Sequence, residues 1–99
     1  DVSDIKIKEK SRKAKLAARC LRVNNVAFTL GETVHLYNAT AKEFLQDTRW
    51  VKHELKHVEQ FKRYGFISFI AMYTFETLKK GYYNNKYEVE ARMAEKEII

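Results

Sequence analysis

The sequence predicts one α+β domain that is mainly helical and contains a single β-hairpin. Three observations support this fold class. The chain has 99 residues, a length that suits one domain. It contains no proline and only three glycines, which favours helices with short connections over a many-stranded sandwich. One stretch, residues 26–37, alternates apolar and polar side chains as a pair of strands does.

The N-terminal half is predicted to contain a helix, the hairpin and a second, short helix. Residues 4–22 are interpreted as a helix with a start rich in lysine and arginine. Within the hairpin, Gly31 and Glu32 fit a two-residue turn that has glycine first. Thr40 and Glu43 have the spacing of a capping box, so a short helix is expected to begin at Thr40.

The C-terminal half is predicted to contain three further helices. The first has Asp47 or Thr48 as its N-cap. Residues 66–80 form the second, and their apolar first half predicts a buried central helix. That apolar run is too short to be a transmembrane segment, which takes roughly 20 residues. The last helix follows the asparagines at 84–85 and is expected to reach about residue 98.

The net charge of +6 is concentrated near the N-terminus. Residues 1–22 hold eight lysines and arginines against three acidic residues, whereas the remainder holds eleven against ten. The single domain, 1–99, is therefore divided into a basic N-terminal helix or arm, 1–22, and a core, 26–99. A basic arm can contact nucleic acid or an anionic membrane, but a solvated helix face is the favoured interpretation. Nucleic-acid binding is not expected, because no aromatic side chain interrupts the basic run as a stacking platform would.

The chain contains one cysteine, Cys20. A lone cysteine excludes an internal disulfide and a zinc site built from several thiolates. We expect Cys20 to be a small core residue. No stretch has the layout of a signal peptide. The sequence leaves the cellular compartment and the oligomeric state open.

Residues 53–57 read HELKH, an H-E-x-x-H motif inside a predicted helix. Histidines four residues apart lie on one face of a helix, so His53 and His57 can bind the same cation. The side chain of Glu54 points about 100° around the helix axis from that of His53. From there it can accept a proton from a water bound to the ion, as a general base does. The motif therefore predicts one zinc ion at His53 and His57, with Glu54 as the catalytic residue.

A third zinc ligand is expected, because such sites usually have three protein ligands and one open position. Glu88 and Glu90, in the predicted last helix, are the main candidates, and His35 on the hairpin is another. Glu88 also has cap spacing with Asn85, so its side chain could instead close the start of its own helix. The residues alone do not decide between Glu88 and Glu90.

The chain resembles the glutamate-type zincins, or gluzincins, over roughly residues 26–95. The resemblance rests on HELKHVEQ, the apolar helix that follows, and then NNKYEVEARMAE. These segments are similar to those of small bacterial members with an HELxHVxQ helix and a downstream N-x-x-E-x-E-A segment. The resemblance implies a minimal zincin domain in which the hairpin lies beside the H-E-x-x-H helix.

The resemblance also implies which glutamate completes the site. In gluzincins a small residue follows the third ligand three positions later, which Ala91 does for Glu88, whereas Met93 follows Glu90. The implied zinc ligands are therefore His53, His57 and Glu88.

The chain departs from the gluzincin pattern at Arg92. The family pattern has a carboxylate four residues after the third ligand, as a hydrogen-bond partner of a zinc histidine. Glu95 or Glu90 is the candidate substitute. The residue that stabilises the oxyanion is also not identified. Its candidates are the tyrosines of the C-terminal half: Tyr64, Tyr73, Tyr82 and Tyr83.

The function implied by the resemblance is that of a zinc metallopeptidase, a hydrolase acting on a peptide or protein substrate. Zinc-bound water would attack the peptide carbonyl, and Glu54 would take the proton of the water and pass it to the leaving amine. A hairpin strand, 26–30 or 33–37, would pair with the extended substrate. The alternative is a catalytically inactive zinc-binding scaffold or interaction domain of the same fold, in which the metal contributes stability only.

Overall fold

Eight elements follow one another through residues 5–96, the part of the chain that the computed structural model describes. Helices form most of this part, so the predicted α+β, mainly helical fold class is confirmed. In chain order the elements are β1 (Lys6–Lys8), α1 (Arg12–Leu21), β2 (Val26–Leu30), β3 (Thr33–Tyr37), α2 (Ala41–Gln46), α3 (Thr48–Tyr64), α4 (Phe66–Lys80) and α5 (Lys86–Ala94).

The predicted hairpin is confirmed as part of a sheet with the strand order β1-β3-β2. β2 and β3 are antiparallel, with Leu30 opposite Thr33 on either side of the two-residue turn. Gly31 has φ +64 in that turn, a conformation that glycine adopts without the steric cost borne by other residues. β1 pairs with β3 in parallel. β3 is therefore the central strand of the described sheet, and β2 is an edge strand.

The helix predicted over residues 4–22 is wrong in its first half. Residue 4 lies outside the described residues, Lys6–Lys8 form β1, and α1 begins only after Ser11. Ser11 is the N-cap of α1: its hydroxyl accepts a hydrogen bond from Ala14 N, and its own N–H donates to Leu36 O. Within the described part of the basic segment, Lys6–Lys8 and Ser11 are thus attached to β3 through backbone pairing.

Three of the predicted helix starts are confirmed. Thr40 and Glu43 form a reciprocal capping box at α2. Asp47 caps α3, and Asn85 caps α5. Among the described residues α5 ends at Ala94, before the predicted end near 98, and residues 97–99 lie outside the described part.

Two groups of buried apolar side chains stabilise the arrangement of these elements. One joins the sheet to α2 and α3, and the other joins α3, α4 and α5. The first consists of Ala27, Val34, Leu36, Phe44 and Val51, and the second of Phe61, Phe69 and Tyr87. α3 contributes to both groups, so it lies between the sheet and the last two helices.

The prediction that α4 is a buried central helix is wrong. The helix has the predicted bounds, but Phe69 and Glu76 are its only buried residues. Ile67 is 77% exposed and Leu78 is 83% exposed. α4 packs on α3 and α5 along one side, so its apolar residues are more numerous than that side can bury. None of the helices within residues 5–96 is long and apolar enough to cross a membrane.

The prediction that Cys20 is a core residue is also wrong, because its side chain is exposed. α1 buries Ala14 and Ala18, which lie one turn apart on the face that packs on the sheet. Cys20 is two residues beyond Ala18 and therefore projects from a different face of α1.

Candidate metal centre

Two histidines of α3 and one glutamate of α5 form the candidate metal centre. The imidazole rings of His53 and His57 lie one helical turn apart, with centroids separated by 5.0 Å. Glu88 Oε1 is 3.1 Å from His53 Nε2, and Glu88 Oε2 is 3.1 Å from His57 Nε2. One ligand atom from each of the three residues lies within 4.8 Å of the others. The three side chains therefore offer two nitrogens and an oxygen that could hold a metal ion.

The start of α5 directs Glu88 toward the histidines. Asn85 Oδ1 accepts from Tyr87 N, while Asn85 Nδ2 donates to Tyr73 O and to the Thr77 hydroxyl. These bonds attach the first turn of α5 to α4. The backbone N–H of Asn85 donates to Tyr82 O, so the Glu88 side chain is not needed to close the helix start.

Glu90 and His35, the other candidates for the third ligand, lie outside this cluster. Glu90 Oε1 accepts a hydrogen bond from Gln60 Nε2. His35 Nδ1 is 3.0 Å from the Ser11 hydroxyl, and the His35 ring stacks on Phe28. Within residues 5–96, Glu90 therefore contacts the cluster through Gln60 alone, and His35 belongs to the packing of α1 on the sheet.

Both histidines of the cluster have a hydrogen-bond acceptor at Nδ1, the ring nitrogen that does not face Glu88. His57 Nδ1 lies 2.8 Å from Gln60 Oε1, and His53 Nδ1 lies 2.7 Å from Glu95 Oε2. An oxygen acceptor at Nδ1 keeps the proton there and leaves the lone pair of Nε2 for a cation. Both Nε2 atoms face Glu88. Metal-binding histidines are expected to have this arrangement, in which one ring nitrogen faces the metal position and the other is hydrogen-bonded to an oxygen.

Gln60 and Glu95 extend the sequence-based description of the site. The carboxylate in contact with His53 comes from Glu95, because this chain has Arg92 rather than an acidic residue four positions after Glu88. Arg92 instead donates to Tyr83 O and lies over the Tyr83 ring. Gln60 was not assigned a role from the sequence, although its spacing of three residues from His57 places both on one helix face. Its amide nitrogen also donates to Tyr87 O.

The charges of the cluster depend strongly on one another. Burial lowers the pKa of His53, but the hydrogen bonds to Glu88 and Glu95 and the nearby Glu54 charge raise it to about 9. Burial also lowers the pKa of His57, and Glu88 more than offsets this, so the net shift is upward. Burial raises the pKa of Glu88, whereas both histidines lower it well below its usual range. Without a bound cation, protons on the histidines balance the charge of this buried carboxylate.

Glu54 lies beside the cluster on the side of the sheet and is almost completely buried. The Thr29 hydroxyl donates to Glu54 Oε1 at 2.8 Å. Burial raises the pKa of Glu54, although His57, His53 and the Thr29 hydrogen bond act in the opposite direction. Within the described part of the chain, Glu54 makes no hydrogen bond to Glu88, His53 or His57. Its carboxylate can therefore contact a molecule bound beside the cluster.

The cluster and Glu54 open into one groove of about 410 Å³. α1, β2 and α4 form most of its walls, and its lining is largely apolar. Tyr73 and Tyr82 also line it. The Tyr73 hydroxyl donates to Glu88 Oε2 at 2.5 Å. Burial is the main cause that raises the pKa of both tyrosines above the usual tyrosine value, and the Glu88 charge is the second. Each tyrosine therefore keeps its phenolic proton at neutral pH.

The other two tyrosine candidates lie away from the groove. Tyr64 packs on Phe69 and Tyr87 in the second core group. Tyr83 is 69% exposed and contacts Arg92. Tyr73 and Tyr82 are therefore the two tyrosines from the sequence-based set that can reach a molecule bound beside Glu54.

Comparison with known proteins gives one family. A family model described as the eCIS core domain matches residues 1–65. No curated protein and no solved structure shows significant similarity to the chain. The matched segment contains His53, Glu54 and His57 and ends next to the last residue of α3, whereas Glu88 lies beyond it.

Proposed function

The chain belongs to the eCIS core domain family, and for this member we propose the function of a zinc-dependent peptidase of the gluzincin type. His53, His57 and Glu88 bind one zinc ion, and Glu54 is the general base. The observation that carries this proposal is that a three-residue donor set and a separate buried carboxylate share one groove. A metal site for stability alone has no use for the second carboxylate beside an open space.

The donor set is compatible with the proposed zinc ion. Two imidazole nitrogens and one carboxylate oxygen form a common ligand set of zinc sites that keep a position open for substrate. The outer partners of both histidines are already in contact with Nδ1, so binding requires loss of the Nε2 protons but no new ring orientation. A bound zinc ion lowers the pKa of water and polarises a carbonyl oxygen.

Residues of the chain carry out the proton transfers and stabilise the charge on the carbonyl oxygen. Glu54 accepts a proton from the attacking water as the new carbon–oxygen bond forms at the peptide carbonyl. It then donates this proton to the amide nitrogen as the carbon–nitrogen bond breaks, which returns the carboxylate to its starting state. The Tyr82 hydroxyl is a donor for the carbonyl oxygen as negative charge develops on it, and the Tyr73 hydroxyl is a second one if it leaves Glu88 Oε2.

β2 is the strand that pairs with an extended substrate. Of the two strands considered from the sequence, β3 has partners on both sides, while β2 pairs with β3 alone among the described strands. All five residues of β2 line the groove that holds Glu54 and the metal cluster. An extended peptide can therefore add to this edge through backbone hydrogen bonds.

The catalytically inactive zinc scaffold remains a second candidate because of where the ligands come from. His53 and His57 belong to α3, and Glu88 belongs to α5, so a bound ion links two helices. Such a link adds metal-binding free energy to the stability of the folded state. This effect needs the three ligands but not Glu54.

Glu54→Gln separates the two functions. The amide cannot accept a proton from water, so a peptidase loses about 10²–10⁴-fold in kcat, while zinc content and the melting temperature stay close to those of the wild type. The measurement is cleavage of a mixed peptide library by the zinc-loaded wild type and variant, with Glu59→Gln, an exposed residue of α3, as the control. Chelator-sensitive cleavage by the wild type and by Glu59→Gln only supports the peptidase. Tight zinc binding without cleavage by any of the three proteins supports the scaffold.

A further inference from the structure

Thr29 connects the edge strand of the sheet to the buried carboxylate of α3. Its hydroxyl oxygen is 2.8 Å from Glu54 Oε1 and 3.3 Å from Glu54 O. A hydroxyl has one proton to donate, and the shorter contact leads to the charged oxygen. Both side chains are buried, Thr29 at 8% and Glu54 at 3% exposure. The bond is therefore protected from water and fixes one oxygen of the carboxylate.

The backbone of Thr29 faces the open side of the sheet. Leu36 O accepts a hydrogen bond from Ser11 N, so this carbonyl points away from β2. Ala27 is opposite Leu36, and Thr29 is opposite Val34 two residues further along. Hydrogen-bonded and non-hydrogen-bonded pairs alternate in an antiparallel ladder, so both of these pairs are of the non-hydrogen-bonded kind. The N–H and C=O groups of Ala27 and Thr29 are thus directed at the open edge of β2.

From these two observations we propose that Thr29 is a positioning residue, which holds Glu54 in a fixed relation to an extended peptide paired with β2. The inference rests on the proposed function. The backbone of Thr29 contacts the substrate, and its side chain contacts the general base. Thr29 alone then sets the distance between the substrate carbonyl and Glu54. This distance does not depend on the side chains of the peptide.

The hydroxyl is the part of Thr29 that this role requires. Valine has nearly the same shape but cannot donate, so the carboxylate of Glu54 would lose the hydrogen bond that fixes its orientation. Serine keeps the donor and loses a methyl group. A base displaced from its productive position lowers the rate of the chemical step, and shifts of this kind cost about 10–100-fold. Binding of the peptide backbone to β2 is unaffected by the loss of the hydroxyl.

The test compares zinc-loaded Thr29→Val, Thr29→Ser and Thr29→Ala with the wild type. Thr33→Val, which removes a hydroxyl from the central strand, is the control. For cleavage of a fluorogenic peptide we expect Thr29→Val to lower kcat by about 10–100-fold with KM changed less than threefold, and Thr29→Ser to restore most of kcat. Zinc content and melting temperature are measured for every variant. If Thr29→Val does not fold, Thr29→Ser and Thr29→Ala form a pair that differs by the hydroxyl oxygen alone.

A second measurement needs no turnover. A peptide hydroxamate binds zinc and donates to the neighbouring carboxylate, and calorimetry gives its affinity for each zinc-loaded protein. We expect weaker binding by Thr29→Val and by Glu54→Gln, and wild-type affinity in Thr29→Ser and Thr33→Val. An inactive wild type that follows this order overturns the peptidase and supports the positioning role. Equal hydroxamate affinities in Thr29→Val and the wild type overturn the positioning role, as do equal kcat values when the wild type is active and a wild type that binds no hydroxamate.

Discussion

His53 Nδ1 lies 2.7 Å from a carboxylate oxygen of Glu95, a residue of the chain segment that directly follows α5. The other carboxylate oxygen of Glu95 is 3.5 Å from the exposed guanidinium of Arg49. His53 is thus held between two carboxylates, Glu88 at Nε2 and Glu95 at Nδ1. A cation that replaced the Nε2 proton would leave the Glu95 contact in place, so Glu95 would act on the proposed metal ion through the imidazole.

The outer hydrogen bonds of the histidines should tune zinc affinity. Gln60→Met keeps the size of the side chain and removes the acceptor at His57 Nδ1, and Glu95→Gln removes the charge at His53 Nδ1. We expect each change to weaken zinc binding by about 10–100-fold. The measurement is competition with a chromophoric chelator. Gln46→Met, on exposed surface of α2, is the matched control and should bind zinc as the wild type does.

Glu88 and Glu90 should differ sharply when they are neutralised. Glu88 contacts both Nε2 atoms, so Glu88→Gln should lower zinc affinity by far more than 100-fold, since a direct ligand is lost rather than an outer partner. Glu90→Gln should lower it by less than about tenfold, because Glu90 acts only through Gln60. The same chelator competition ranks the two variants. The reverse order would assign the third ligand to Glu90.

One zinc ion per chain should stabilise the folded protein. Zinc at 100 times its dissociation constant adds about 2.7 kcal/mol to the free energy of unfolding, provided that the unfolded chain does not bind it. We expect elemental analysis to find about one zinc per chain, and the melting temperature to rise with zinc concentration. Both effects should disappear in His53→Ala and in His57→Ala. A metal content that is equal in the wild type and both variants would contradict the site.

Stability should decrease on acidification through a contribution from His35. Burial lowers the pKa of His35 below its usual value, and the charges of Lys13 and Lys8 lower it further. The unfolded chain therefore binds this proton more readily than the folded chain does. The free energy of unfolding should fall as the pH drops from the ordinary pKa of about 6.5 through the lower folded value.

The contribution of His35 can be isolated by difference. His35→Gln removes the titrating ring, and urea unfolding of this variant and of the wild type is compared between pH 7.5 and pH 5, both without zinc. The protons of His53 and His57 affect both proteins alike and cancel. We expect the wild type to lose more stability than His35→Gln over this range. A parallel loss in the two proteins would mean that His35 keeps its ordinary pKa in the fold.

The local features of the fold could be predicted from the sequence, whereas the non-local ones could not. The turn at Gly31, the cap at Thr40 and the pair His53 and His57 depend on residues at most four apart. β1 was missed because its three residues, Ile7 with a lysine on each side, have no local sequence signature. Its partner strand β3 also lies more than twenty residues further along the chain. The Thr29–Glu54 bond was missed for the same reason.

The exposure of α4 shows a different limit of sequence interpretation. An apolar segment predicts burial only if the rest of the chain offers enough surface to cover it. In this chain α3 and α5 cover the side that carries Phe69, and the side that carries Ile67 and Leu78 has no partner within the described residues. Composition indicates that a helix is apolar but does not indicate how many neighbours it has.

The order in which the ligands occur along the chain has a consequence for biosynthesis. A ribosome releases α3, with both histidines, well before α5 brings Glu88 and the segment that carries Glu95. During that interval the nascent chain would offer the proposed zinc ion only the two histidine nitrogens, one ligand fewer than zinc sites usually have. Under the proposed function, tight metal binding would therefore await the emergence and docking of the last helix. A product truncated after α4 would have the complete H-E-x-x-H helix and yet lack the carboxylate ligand, so premature termination yields a chain without the site.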